Sequence, residues 1–253
     1  MFDIDNLGPD DLVTEETFGP FTICTYLRDI SNYSRESAML EYFAAKMNVC
    51  KKQVICDLSQ APHGVTLQNG AMQWMVGDVS VKTNATGIGN LIKKVASASA
   101  TKETAINPVY FGDGVVALEP TYNHIIPIKP EWFNGSVNIA DSTFLACENT
   151  IERHVRTLGV SAGMLGGQGF FVNNLAGEGT ALLESPVPMS ELVTITLDND
   201  VLKVDGNLVL AWSDTIEFTV KRTTSTLVGS AASGEGLVNV YRGTGTIYMM
   251  PVL

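Results

Sequence analysis

Residues 159–163 read Gly-Val-Ser-Ala-Gly and match the G-x-S-x-G pattern, in which a serine on a strained turn acts as a nucleophile. That chemistry needs a strand-to-helix turn at the serine and a histidine later in the chain. Here Met-Leu-Gly-Gly follows the motif, which favours a turn into a strand, and no histidine lies after His154. The motif therefore predicts a structural turn, and a hydrolase that uses Ser161 is kept as an alternative.

The histidines are far apart in the sequence and form no HxxxH, HxH or Cys/His pattern of the kind that places metal ligands together. They are His63, His124 and His154. Folding that brings two of them together is the alternative to be checked. We expect surface or loop positions for them and predict no metal site.

The acidic stretch Asp198–Asp200, with Asp205, resembles a calcium-binding loop. Such a loop needs glycine at its sixth position and glutamate at its twelfth, and this chain has Lys203 and Val209 there. Asp-Gly at 205–206 is typical of a hairpin turn. We therefore predict a turn and no metal ion.

Three Gly-x-Gly elements recur at a spacing of 65 and 66 residues, with Gly112, Gly177 and Gly243 as their first glycines. A phosphate-binding loop needs such glycines to open onto a helix N-terminus, whereas an apolar strand is predicted after each of these three. Glycine within a strand more often marks a bulge or a close backbone approach. We interpret these elements as architecture and predict no cofactor site and no catalytic residue.

A second element recurs between the Gly-x-Gly elements, at residues 65–70, 137–142 and 202–207. Each copy alternates as a strand does and ends in Asn-Gly, Asp-Ser or Asp-Gly, which tolerate the positive φ of hairpin turns. A hairpin followed by a Gly-x-Gly strand is thus the predicted repeating unit. Such a unit cannot bury its apolar face alone, and its open edges favour pairing across subunits. We expect a symmetric homo-oligomer.

Residues 1–52 do not show the strand and turn pattern of the rest of the chain. Residues 1–20 are acidic and contain two Gly-Pro or Pro-Gly-type breaks, which predicts an extended or loosely attached arm. Residues 34–48 predict the one helix, with Ser34 as N-cap. Its apolar stripe is Met39, Leu40, Phe43 and Met47. We expect this stripe to pack on the β body or across a subunit boundary; a partner-binding or membrane-surface face is the alternative.

Composition excludes several classes of protein. The net charge of −11 gives no electrostatic footprint for nucleic acid or for an anionic membrane. The four cysteines, at positions 24, 50, 56 and 147, match neither a disulfide framework nor a CxxC pair. The N-terminus has no secretory signal and no run of residues is long enough to span a membrane. These features predict a cytoplasmic protein.

Several stretches of the β region resemble the altered-inheritance-of-mitochondria family, over about residues 55 to 250. They are residues 166–171, 175–179, 204–211, 233–237 and 242–248. The resemblance implies a double-stranded β-helix duplicated within the chain, similar to the tryptophan RNA-binding attenuator fold, and three chains in a pseudo-hexameric ring. Its bacterial members have no assigned activity. Its mitochondrial members are factors for inner-membrane organisation, a location not transferred to a chain without a visible transit peptide.

We thus expect an all-β protein, a duplicated double-stranded β-helix with one N-terminal helix. The expected segments are an acidic arm plus helix at 1–52 and β regions at 53–130 and 131–253, intertwined in one globular body. The predicted function is that of a non-enzymatic, homotrimeric β scaffold with an interaction or assembly role. The alternative is a small-molecule binding module with its ligand at a repeat or subunit interface.

Overall fold

The computed structural model describes residues 2–4, 13–27, 34–83, 107–158, 170–222 and 237–251. Within these residues the chain is mostly β, with the helix α1 (Arg35–Lys46) and three short 3₁₀ helices at Leu58–Gln60, Pro130–Phe133 and Met189–Glu191. The strands are β1 (Val13–Phe18), β2 (Phe21–Tyr26), β3 (Lys51–Asp57), β4 (Val65–Leu67), β5 (Met72–Thr83), β6 (Pro108–Leu118), β7 (His124–Ile128), β8 (Ser136–Ile139), β9 (Phe144–Glu148), β10 (Ile151–Leu158), β11 (Phe170–Gly177), β12 (Ala181–Ser185), β13 (Val193–Asp205), β14 (Val209–Ser213), β15 (Ile216–Arg222) and β16 (Leu237–Met249).

The helix begins where the sequence predicts. Ser34 is extended and its Oγ accepts a hydrogen bond from the backbone N–H of Ser37 at 3.1 Å, while the Ser34 N–H donates to Ser37 Oγ at 3.2 Å. This reciprocal capping box satisfies two backbone donors that the first turn leaves unpaired. Glu36 in the first turn and Lys46 in the last turn both suit the helix dipole. The predicted helix is confirmed, with its end one turn or less from the predicted one.

The prediction of a loosely attached arm was wrong for the part of residues 1–20 that the structure describes as a strand. β1 pairs with β2 around Gly19, which has a φ of +58°, and β2 pairs in turn with β3. Val13 and Phe21 are buried, whereas Glu15 and Glu16 are exposed. Acidic side chains on β1 are what an edge strand carries to discourage pairing with other chains, so Glu15 and Glu16, two of the acidic residues that indicated an arm, belong to a sheet edge.

Two antiparallel sheets account for the strands, and the chain divides into two compact units. The first unit contains residues 1–127, 145–150 and 179–186, and the second contains 128–144, 151–178 and 187–253. The expected segments 1–52, 53–130 and 131–253 stay a prediction.

In the first unit the sheet order is β1-β2-β3-β6-β4-β9-β12-β7, with β5 paired to β6. Its core is built from apolar side chains of these strands and of the 3₁₀ helix that begins at Leu58: Phe21, Val54, Cys56, Leu58, Val65, Leu67, Val116, Leu118, Ala146 and Leu182. Every one of them is essentially inaccessible to solvent. Burial of this set supplies the main stabilisation of the unit, at about 25 cal/mol per Å² of apolar surface.

In the second unit the order is β10-β11-β8-β14-β16-β13, with β15 paired to β16. Trp212 and Tyr241 meet edge to face, with ring centroids 5.3 Å apart, and Phe218 lies 5.0 Å from Tyr241. These rings form the centre of a core that also contains Val204 and Ile247. Burial raises the pKa of the Tyr241 hydroxyl well above its ordinary value, because the phenolate is poorly solvated there.

The threefold recurrence of the glycines is visible in the strands. Gly112, Gly177 and Gly243 lie on the second strand of the hairpins β5–β6, β10–β11 and β15–β16, with φ values of +126°, +122° and +141°. A Cβ on Gly112 would lie 2.1 Å from the carbonyl oxygen of Asp78 on the paired strand. A Cβ on Gly243 would likewise lie 2.7 Å from the carbonyl oxygen of Thr215, so these two glycines allow a close backbone approach in the β5–β6 and β15–β16 hairpins.

The predicted hairpins at residues 65–70, 137–142 and 202–207 were wrong as hairpins. Each stretch is a strand followed by a turn that contains a positive φ: +82° at Gly70, +64° at Ser142 and +78° at Gly206. The two strands around each turn are not neighbours in the sheet; β4 and β5, for example, both pair with β6. The turn residues were read correctly, but pairing partners depend on non-local contacts.

Candidate functional site

Of the candidate residues from the sequence, the structure describes the three histidines and the acidic stretch at 198–200. Ser161 and its motif, like residues 233–236, lie outside the described residues. His63 and His154 are exposed and His124 is half-buried. His154 Nε2 lies 3.3 Å from a carboxylate oxygen of Glu152, two residues away on the same strand. Among the described residues, no group of three or more His, Cys, Asp and Glu side chains is placed to hold a metal ion.

The acidic stretch at 198–200 is an interruption in the long strand β13. The register against β16 shifts between Leu197 and Asp200, and Asn199 has a φ of +49°. The Asn199 N–H donates to Thr244 Oγ1 at 2.9 Å. This is the geometry of a β-bulge, in which one strand has an extra residue that the partner does not match.

The described residues contain a pocket of about 250 Å³ in the first unit, beside α1. One face of the helix, formed by Ala38, Glu41, Tyr42 and Ala45, lines it at the i, i+3, i+4, i+7 spacing of a helical stripe. The other walls come from the end of β2, the start of β3 and the residues near them: Tyr26, Leu27, Val49, Cys50, Lys51 and Tyr122. Small helix residues opposite aromatic rings leave the space open.

An ion pair lies in the wall of this pocket. Lys51 Nζ donates to Glu41 Oε1 at 3.3 Å, and the two side chains are 23% and 17% exposed. The second carboxylate oxygen, Glu41 Oε2, is buried and has no hydrogen-bond partner among the described residues. Lys51 Nζ also lies 5.8 Å from the ring centroid of Tyr122. A buried carboxylate oxygen without a donor costs free energy, and its lack of accessible surface means that a molecule in the pocket does not reach it.

A second lysine lies behind the first. Lys52 is buried, and its Nζ donates to the backbone carbonyl of Cys50 at 3.0 Å. Burial lowers the pKa of Lys52 below its ordinary value, and the neighbouring Cys50 opposes this shift. Two consecutive lysines at the start of β3 therefore differ in role, since Lys51 faces the pocket and Lys52 is enclosed.

The opposite face of α1 is exposed, with no buried residue anywhere in the helix. Met39, Leu40, Phe43 and Met47 are 59%, 71%, 59% and 77% exposed. Packing of this stripe on the chain's own β body, one of the two expected arrangements, was therefore wrong. The physical reason is that the helix turns its small residues and Glu41 towards the sheet. Packing across a subunit boundary stays a prediction.

The second unit contains a buried polar network on neighbouring strands. Asn174 Nδ2 donates to Asn138 Oδ1 at 3.0 Å and to Ser136 Oγ at 2.9 Å, and Asn138 Nδ2 donates to Asp214 Oδ1 at 3.2 Å. Asn174 Oδ1 is buried and without a hydrogen-bond partner in the described part of the chain. These bonds connect β11, β8 and the end of β14, so the network fixes their register.

Sequence reasoning missed the Glu41–Lys51 pair and the asparagine network. The spacing of Ala38, Glu41, Tyr42 and Ala45 is visible in the sequence, but only the apolar stripe on the opposite face of the helix was interpreted. Lys51 joins Glu41 through the path of the chain from α1 to β3, and residue spacing does not specify that path. No local signal marks Asn138 and Asn174 as partners, because strand neighbours far apart in sequence have no fixed spacing.

The fold and these sites define a mostly β protein with two antiparallel sheets, a recurring glycine-bearing hairpin and one N-terminal helix. Residues 48–252 match the family model described as mitochondrial biogenesis AIM24, so the chain belongs to the AIM24 family. The pocket lies at the edge of this match: α1 precedes it, whereas Val49, Cys50, Lys51 and Tyr122 fall within it.

Two bacterial relatives are similar to this chain. An uncharacterised protein of Streptococcus pyogenes serotype M6 is 28% identical over 197 residues, which cover 74% of this chain and 77% of that protein. A crystal structure of a Streptococcus pyogenes protein matches with a TM-score of 0.58 and 26% identity, covering 81% of this chain and 89% of the other. No helix among the described residues has the length and apolar content needed to cross a membrane.

Proposed function

We propose that this protein is a non-enzymatic β scaffold with an interaction or assembly role, and that it forms a homotrimer in the cytoplasm. The finer architecture of the proposal is a duplicated double-stranded β-helix, with three chains in a pseudo-hexameric ring. The repeated glycines support an architectural use of the recurring unit, because all three have a positive φ and two of them, Gly112 and Gly243, lie against a backbone carbonyl of the paired hairpin. The four free thiols are compatible with a reducing compartment.

The observation that carries the proposal is the exposed apolar stripe of α1. Four large apolar side chains, each more than half exposed, lie on the 12-residue helix and its C-cap residue, Met47. Contiguous exposed apolar surface marks a protein interaction site more often than an ordinary free surface. The partner that we propose is a second copy of the chain. The helix itself has balanced charge, with Arg35 and Lys46 against Glu36 and Glu41, so two copies meet there without net repulsion despite a chain charge of −11.

Size-exclusion chromatography with light scattering tests this proposal. Wild type is expected at three times the mass of the chain, and Leu40→Lys is expected to lower that mass because a buried, unpaired ammonium disfavours the contact. Met189→Lys is the matched control, since it changes an exposed apolar residue of the second unit in the same way. A monomeric wild type would remove the assembly proposal. Equal trimeric masses for wild type, Leu40→Lys and Met189→Lys would show that α1 is not part of the interface between copies.

The second candidate function is a small-molecule binding module, and the pocket beside α1 favours it. Its walls come from one unit of one chain, which differs from the ligand site at a repeat or subunit interface that the sequence suggested. A thermal-shift screen with amino acids, nucleotides and metals tests this candidate. A ligand at 100 times its dissociation constant stabilises the folded chain by about 2.7 kcal/mol. No shift across such a panel would count against it.

A further inference from the structure

We propose that Asn69 is a site of spontaneous covalent modification, at which the backbone nitrogen of Gly70 displaces the side-chain amide and the asparagine becomes aspartate or isoaspartate. The sequence contains two Asn-Gly pairs, at 69–70 and 134–135, and both asparagines are exposed. Glycine after asparagine favours this reaction, because no Cβ hinders the approach of its nitrogen. Sequence and exposure therefore do not separate the two pairs, whereas their hydrogen bonds do. The inference does not depend on assembly or on ligand binding.

The first pair lies at the tip of the turn between β4 and β5. The Ala71 N–H donates to the Gln68 carbonyl at 3.1 Å, and Gly70 has a φ of +82°, which is typical of the third residue of a type II turn. Within the part of the chain that the structure describes, neither the Gly70 N–H nor the Asn69 side chain forms a hydrogen bond. No such bond therefore has to break before the Gly70 nitrogen approaches Asn69 Cγ.

The residues on either side of this tip are held in place. The Gln68 N–H donates to the Leu145 carbonyl at 2.8 Å, and the Glu119 N–H donates to the Ala71 carbonyl at 2.7 Å. Nothing lies within 4 Å of the position that a Cβ on Gly70 would take, so the tip has room to change its conformation. We therefore expect the chain to stay folded while the tip reacts.

The second pair is held differently. Asn134 ends the 3₁₀ helix Pro130–Phe133 with a φ of +65°, and the Gly135 N–H donates to the Pro130 carbonyl at 2.9 Å. The nitrogen attacks only after it loses its proton, so an N–H that is bonded to a carbonyl is a weaker nucleophile. In the folded chain we expect Asn134 to react about fivefold or more slowly than Asn69, the factor that corresponds to a net hydrogen bond of about 1 kcal/mol.

The reaction needs only water as co-reactant. A bond forms between Gly70 N and Asn69 Cγ, the bond from Cγ to the side-chain nitrogen breaks, and ammonia leaves with the proton of the backbone nitrogen. Water then opens the succinimide ring. Cleavage of the new bond gives aspartate, and cleavage of the original peptide bond gives isoaspartate; neither step is an oxidation or a reduction. Each product adds one negative charge to a chain whose charge is −11, and isoaspartate also adds one backbone carbon to the turn.

Peptide mapping by mass spectrometry tests this on the full chain, incubated near neutral pH. We expect a gain of one mass unit at Asn69 that grows with time and grows faster at higher pH, and a slower gain at Asn134. In urea that unfolds the chain the two rates are expected to become similar, because the hydrogen bond of Gly135 is lost. Equal rates in the folded chain, a faster reaction at Asn134, or a ratio of rates that urea leaves unchanged would overturn the proposal.

Variants connect the added charge to this turn. Asn69→Gln keeps an amide but requires a larger ring for the attack, so the more acidic species that accumulates in wild type is expected to be lost from ion-exchange chromatograms. Asn134→Gln makes the same change at the second pair and is expected to accumulate the acidic species as wild type does. Persistence of that species in Asn69→Gln, or its loss in Asn134→Gln, with both variants folded by circular dichroism, would refute the assignment.

Discussion

At the scale of single residues, the recurring glycines differ in what surrounds them. Gly112 combines a φ of +126° with a neighbouring carbonyl, so a side chain there would meet backbone atoms that cannot move independently. Gly70 has a φ of +82° but nothing within 4 Å of the position that a Cβ would take. Glycine is required at position 112 by both the backbone conformation and the lack of room for a Cβ. At position 70 it is required by the backbone conformation alone.

This difference predicts unequal losses of stability for the same chemical change. Gly112→Ala is expected to lower the free energy of unfolding by more than about 3 kcal/mol, since strain and a steric clash act together. Gly70→Ala is expected to cost about 1–2 kcal/mol, the penalty of a left-handed conformation. Urea denaturation measures both. Equal losses of stability in the two variants would mean that β5 and β6 move apart at little cost, and that Gly112 is not needed for their close backbone approach.

Two buried thiols predict how stability depends on pH. Burial and the nearby carboxylate of Glu15 raise the pKa of Cys24 to about 11, and burial raises the pKa of Cys56 further. Above about pH 9 these thiols ionise in the unfolded chain but stay neutral in the fold, so the unfolded state holds fewer protons. The stability that each contributes is complete below pH 9 and falls as pH rises, by about 1.4 kcal/mol per pH unit.

Cys56→Ala isolates one of these thiols. The variant loses some stability at every pH through its smaller side chain, but its decline between pH 9 and pH 11 is expected to be shallower than that of wild type by about 1.4 kcal/mol per unit. Urea unfolding across this range measures the slope. Cys50→Ala, a half-buried thiol, is the comparison. Parallel curves for wild type and Cys56→Ala would exclude this origin of the pH dependence.

At the scale of elements, the features that depend on neighbouring residues, namely the helix and the turns, were predicted correctly from the sequence. The helix followed from its N-cap and its periodicity, and the turns at residues 69–70, 141–142 and 205–206 followed from residues that tolerate positive φ. The sequence could not assign strand partners, because β4 pairs with β9 across a separation of about 80 residues that no spacing records. The hairpins were predicted wrongly because a turn motif shows where the chain reverses but does not show which strands pair.

The edge strand β1 shows a second limit of sequence patterns. Its run Val-Thr-Glu-Glu-Thr-Phe has one buried residue, Val13, and the strand is held by backbone pairing with β2. A half-buried strand is recognised by its alternating apolar and polar residues. An exposed edge strand lacks this alternation, so the acidic composition led to the prediction of an arm. The candidate pocket was missed for a related reason: its helix stripe consists of small and charged residues, which hydrophobic periodicity does not register.

At the scale of the whole molecule, the charge of −11 and the exposed stripe of α1 oppose each other. Association of copies buries apolar surface but brings like net charges together, and salt weakens only the second effect. From about 0.1 M to about 1 M salt the screening length falls from about 10 Å to about 3 Å. An assembly through the stripe should therefore tighten as salt is added, the reverse of a contact held by opposite charges.

Assembly of this kind predicts a melting temperature that depends on protein concentration. Because association stabilises only the folded chain, the Tm of wild type is expected to rise over a roughly hundredfold increase in concentration, and to rise further with salt. Leu40→Lys is expected to show no concentration dependence, since its monomers gain nothing from one another. Met189→Lys should behave as wild type does. Differential scanning fluorimetry at several concentrations measures this, and a wild-type Tm that is constant with concentration would argue against a folded state stabilised by its own copies.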